Sequence, residues 1–147
     1  MRIRFLGPAL LLGMSVAMLS GCASGGSGIP AIHQQAQEED RWPGDQALLS
    51  DSGMAVDTSR LLASHNDLDY YVTTSEDQKM ACLFKFEHAD PSEGAMGGCG
   101  GLGGTDFIVE FSTPEGHTAL VRNDAEIRNY ECEGWQQIHE NIFIKGP

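Results

Sequence analysis

The residues Gly98-Cys99-Gly100-Gly101-Leu102-Gly103 satisfy Gly-x-Gly-x-x-Gly, and Asp124 follows at the distance where an acidic residue would meet a ribose. That chemistry needs a strand directly before the glycines and a helix directly after, so that the helix N-terminus faces the pyrophosphate. Here loop-like residues precede the glycines, a β-like run follows, and no Gly-Lys-Ser/Thr is present. The pattern therefore reads as a loop around a cysteine, and no cofactor is expected. The five histidines, His33, His65, His88, His117 and His139, form no His-x-His or His-x-x-x-His pair, and His139-Glu140 lacks the second histidine of a helical zinc site. His88, Asp90 and Glu93 are close enough in sequence for a site assembled in space, but isolated loop histidines are more often solvated, and no metal is expected. No serine sits in a Gly-x-Ser-x-Gly elbow. Glu131 and Glu133 flank Cys132 and disfavour its thiolate. Glu110 and Glu115 are of the type that cleaves glycosides, yet twenty-one acidic residues make such pairs common by chance. The expectation is a chain with no catalytic residue.

The strongest chemical feature is at the other end. Met1 to Arg4 is short and basic, Phe5 to Leu19 is apolar apart from Gly7, Pro8, Gly13 and Ser15, and Ser20, Gly21 and Ala23 are small. This is the order of a secretory signal, with flanks unlike those of a transmembrane helix. Leu19-Ser20-Gly21-Cys22 resembles the lipobox of bacterial lipoproteins. The resemblance implies cleavage before Cys22, diacylglycerol on its thiol, and acylation of the new amino group with a palmitate-like chain. Two or more chains anchor stably where one holds only marginally. The expected location is extracytoplasmic, on the cell membrane or, in a cell with two membranes, the outer one.

Residues 1–21 are thus read as a signal peptide, 22–41 as a flexible Gly/Ser and polar tether, and 42–147 as one domain. The chain carries nine Lys and Arg against twenty-one Asp and Glu, a formal charge of −12; losing Arg2 and Arg4 takes it to −14. Such a domain repels nucleic acid, and it attracts cationic proteins. Cys82, Cys99 and Cys132 remain after Cys22, with no Cys-x-x-Cys. Export favours one disulfide among them, and the odd count leaves one thiol over.

Short apolar, aromatic and β-branched runs at Arg60–Ser64, Asp69–Thr74 and Met80–Phe86 are separated by Asn66-Asp67 and Ser75-Glu76-Asp77, which predicts a three-strand meander. Cys82, Phe84 and Phe86 share one face of the third run, with Leu83 and Lys85 on the other. Pro91 to Gly104 is expected to be a long mobile loop. Thr105–Ser112 and His117–Arg122 read as a hairpin about Pro114-Glu115-Gly116, Ile127–Cys132 as a weaker strand, and Glu140–Lys145 as the last one. Between Trp42 and Ser59 only Asp45 to Leu49 suggests a helical turn. Six or seven short strands with regular turns predict an all-β fold, a small antiparallel sandwich or barrel.

Arg60-Leu61-Leu62, Tyr70-Tyr71-Val72, the Cys82-Leu83 strand before Gly98-Cys99, Ala119-Leu120-Val121 and Glu140-Asn141-Ile142-Phe143-Ile144 resemble small exported proteins of unknown function from high-GC Gram-positive bacteria. The resemblance implies a β fold and a Cys82–Cys99 bridge, with Cys132 the free thiol; it implies no activity. The residues themselves leave a Cys82–Cys132 bridge open. Arg122-Asn123-Asp124 stands where those proteins tend to have Pro-Asp-Gly. The function expected is non-catalytic binding of a protein or cell-envelope component by a lipid-anchored domain. The alternatives are an inhibitor of a cationic hydrolase, in the manner of lysozyme inhibitors, and an envelope hydrolase.

Overall fold

A computed structural model describes residues 27–91, 94–104, 106–123, 125 and 133–147. Among them are eight strands in two antiparallel sheets of four, an all-β sandwich with one short α-helix, α1 (Gln46–Asp51), and three single turns of 3-10 helix at Pro30–His33, Glu38–Asp40 and Val56–Thr58. The first sheet runs β1 (Arg60–His65), β2 (Leu68–Thr74), β3 (Met80–Glu87), β4 (Met96–Gly101). The second has the order β5 (Phe107–Thr113), β6 (Gly116–Val121), β8 (Ile142–Lys145), β7 (Gln136–His139).

The turns follow from their residues. Asn66 and Asp67 both have positive φ, 50° and 62°, in the two-residue β1–β2 loop. Asn and Asp tolerate that region, and such loops match the twist of the flanking strands. In the β2–β3 turn the Ser75 hydroxyl donates to Asp77 Oδ1, which also accepts from the Lys79 N–H; these contacts hold the Asp77 carboxyl down to about 2.

Strand alternation places Tyr70, Val72, Ala81 and Leu83 against Ile108, Val109, Leu120 and Ile142, and this is the core between the sheets. The opposite face of the first sheet is buried as well. Tyr71, Cys82, Phe84 and Phe86 point away from the core and are covered by Trp42, Leu49 and Met54. A third cluster, Ala119, Val121, Phe143 and Trp135, lies on the outer face of the second sheet.

Three expectations change. The tether predicted over 22–41 is docked from Ser27 onward. Ile29 is fully buried in the core, the Gly28 carbonyl accepts from the Asn123 N–H and from Asn141 Nδ2, and Asp40 accepts from the Leu61 N–H at 2.9 Å. One buried isoleucine and a few satisfied backbone groups outweigh a polar composition. The loop predicted over 91–104 contains β4, paired with β3 in the register Cys82↔Cys99 and closed there by a disulfide. Its inward positions, Gly98 and Gly100, carry no side chain, which lets β5 approach. A Cβ on Gly100 would overlap the Ile108 carbonyl oxygen, and one on Gly98 would touch Val109 and Phe111. Finally, Glu140-Asn141 is a turn rather than the start of a strand, and β7 precedes it. The strand predicted at Ile127–Cys132 lies outside the described residues, as do Cys22, Glu93, Asp124 and Cys132.

Candidate functional site

Because every neighbouring strand pair is antiparallel, the sandwich has two poles. One gathers the start of β3 and the ends of β4 and β6, with the β7–β8 turn; the docked segment begins here, at Ser27 and Gly28. The other gathers the β1–β2 and β5–β6 turns with the end of β8. A groove of about 390 Å³ opens at this second pole. Strands of six or seven residues put roughly 20 Å between the poles.

Lys85 is the chemical centre of the groove. It follows Ala81 and Leu83 in the inward row of β3, and its side chain is only 4 % exposed. Its Nζ donates to Thr113 Oγ1 at 2.7 Å and to Glu115 Oε2 at 3.2 Å. A buried ammonium without such partners would be strongly disfavoured. Glu115 itself is 60 % exposed, on the β5–β6 turn. The hydroxyl of Thr113, then the Lys85 ammonium, holds its carboxyl below the ordinary range. Tyr70 also lines the groove, and burial raises its phenol. His117 and Lys145 face each other across the β6–β8 register on the rim. They also border a hollow of about 260 Å³ beside Trp135, over which Lys145 Nζ lies at 6.0 Å from the ring centroid.

The predicted candidates fall in different places. His88 Nδ1 meets Asp69 Oδ2 at 2.8 Å, and this hydrogen bond, with the charge of Asp69, raises the imidazole. No group of three metal-binding side chains occurs among the described residues, and the partner of His88 is Asp69, outside the set His88, Asp90 and Glu93. The Gly-x-Gly-x-x-Gly run is spent on β4 and its contact with β5. Glu110 and Glu115 lie beside different partners, the His117 ring at 3.9 Å and the Lys85 ammonium at 3.2 Å.

The sequence reading missed one meeting of reactive types. Ser112 Oγ lies 2.8 Å from His117 Nδ1, and Glu110 Oε1 lies 3.9 Å from the same atom. A nucleophile–base–carboxylate relay needs hydroxyl and carboxylate on opposite ring nitrogens. Here both oxygens crowd one nitrogen, so the ring bridges neither. Lys85, the group that organises the groove, was legible only as an interruption of the apolar alternation. Compared with known protein families, curated proteins and solved structures, the chain matches none of them.

Proposed function

We propose that the protein is a lipid-anchored, extracytoplasmic lipoprotein whose β-sandwich binds a protein or cell-envelope component without catalysis, through the groove at the pole remote from its anchor. The observation that carries this reading is the placement of the two features. Ser27 is five residues after Cys22, so the domain stands within about 17 Å of the lipid-bearing residue even with that chain fully extended. On this reading the pole where Gly28 is pinned lies toward the membrane, and the groove faces outward. The disulfide fits an oxidising compartment, and the groove's polar groups engage one another rather than a poised nucleophile.

Changing Cys22→Ser tests the anchoring. The expected result is loss of the protein from the detergent phase, with a mass that lacks acyl chains. An unchanged membrane fraction and unchanged mass sink the reading. One observation favours a second function. The excess of acidic over basic residues steers a cationic hydrolase toward the domain, which suits an inhibitor. Co-precipitation from membranes separates the two: a stoichiometric cationic hydrolase supports inhibition, any other single partner supports the first.

A further inference from the structure

We propose that the groove is a receptor for a free peptide carboxylate, held by Lys85 and flanked by an apolar residue of the ligand. This rests on the domain being a non-catalytic binding module and names what it binds. Lys85 sits in the inward row of its strand, where Ala81 and Leu83 are core residues, so its ammonium is carried into the groove by the sheet itself. Two of its three hydrogens have acceptors among the described residues, Thr113 and Glu115, and the third has none. Its counter-charge is a turn glutamate that is mostly in water, a partner that exchanges readily with solvent or with another carboxylate.

The rest of the lining fits that ligand. His65 and Tyr70 line the groove beside Lys85, and Leu68 and Ile144 give it an apolar wall; the side chains of His117 and Lys145 turn to the outer face, toward Trp135. The overall negative charge does not forbid an anion at this place. Distant exposed carboxylates are screened beyond a Debye length of about 8–10 Å, whereas a buried ammonium acts at contact distance through a lower dielectric. Glu115 then behaves as a built-in competitor, occupying the carboxylate position when no ligand is bound.

The experiment is a nuclear magnetic resonance titration of the full chain in detergent with N-acetyl-leucine, N-acetyl-leucinamide and glucuronate. N-acetyl-leucine is expected to shift the amide signals of Lys85, Thr113 and Glu115, and the leucinamide to bind at least tenfold more weakly. Glu115→Gln removes the competitor and should tighten N-acetyl-leucine several-fold. Lys85→Met, an apolar replacement of similar length, should abolish binding while the spectrum stays dispersed. If Lys85→Met unfolds the chain, the amide comparison and Glu115→Gln still decide. Equal binding of acid and amide, or unchanged or weaker binding by Glu115→Gln, overturns the carboxylate site. Glucuronate binding as well as N-acetyl-leucine overturns the assignment to a peptide. Cleavage of the probe would overturn the non-catalytic reading but not the site; absence of binding would overturn the site and leave the anchoring reading untouched.

Discussion

Asn141 is fully buried, and its Nδ2 donates to the carbonyl oxygens of Gly28 and Val121, both at 2.8 Å. One side chain thus ties the docked N-terminal segment to the end of β6. Removing it takes a donor from the Val121 carbonyl and leaves Gly28 only the Asn123 N–H, so Asn141→Ala should cost about 1–3 kcal/mol in denaturant unfolding. It should also speed proteolysis within 27–41; unchanged stability would show that the docking is held elsewhere. The neighbouring His139 adds a pH term. Its Nδ1 accepts from the Asn141 N–H, and burial, only partly opposed by Glu140, lowers its imidazole below the ordinary value near 6.5. The unfolded chain then binds more protons than the folded one as pH falls below that value, so stability declines on acidification. The raised His88 contributes with the opposite sign, being lost as pH rises, but it is exposed and screened. The lowered Asp77 and Glu115 titrate in a more acidic range. The melting temperature should therefore fall between about pH 7.5 and about pH 5.5, and His139→Asn, which keeps an acceptor without the proton, should flatten that fall. An unflattened profile would remove His139 from the account. None of this was legible in the sequence, because Glu140-Asn141 reads equally well as strand or turn, and burial alone distinguishes them.

At the scale of elements, the meander β1–β3 was readable because its turn residues and alternation agree. Its layering was not. A strand such as Met80–Glu87, with apolar and aromatic residues on one face and Leu83 and Lys85 on the other, looks half-exposed, yet all its interior positions are buried. The cover comes from residues 38–58, whose composition is that of a loop. Trp42 stands edge-on to Phe84 and Phe86 with centroids 5.1 and 4.9 Å away, and its Nε1 donates to the Asp45 carbonyl. Trp42→Ala should lower stability by about 3–5 kcal/mol in denaturant unfolding. A loss below 1 kcal/mol would mean that the cover is decorative. Strand β4 was invisible for the opposite reason. Glycines carry no β propensity, and here the missing side chains are what the element needs. Gly100→Ala should displace β4 from β5 and lower the unfolding midpoint by far more than Gly103→Ala, whose added methyl meets open space. Equal effects would refute the close-approach role.

For the molecule as a whole, the two poles make an orientation that can be measured with the chain's own lysines. Lys79 lies in the β2–β3 turn, at the pole of Gly28, with its side chain 80 % exposed. Lys145 ends β8 at the groove pole and is half-buried, while Lys85 is enclosed. In free solution a bulky amine-reactive reagent should therefore modify Lys79 fastest and Lys85 slowest. The proposed anchoring through Cys22 would change the order. On that proposal a span of five residues from Cys22 to Ser27 would keep the Gly28 pole near the headgroups, and a lipid surface would exclude a large reagent from the space beneath the domain. In the proposed mature form, which lacks Arg2 and Arg4, the domain would also be more negative. Repulsion from anionic lipid then resists its lying flat, although only within a Debye length of about 8–10 Å. Peptide mass mapping on lipidated protein in vesicles should show Lys79 labelling several-fold more slowly than in the Cys22→Ser form, with Lys145 unchanged. If both lysines slow together, the domain lies on its side and the groove faces along the membrane. If Lys145 alone slows, the groove faces the lipid, and an outward-presented binding pole is wrong.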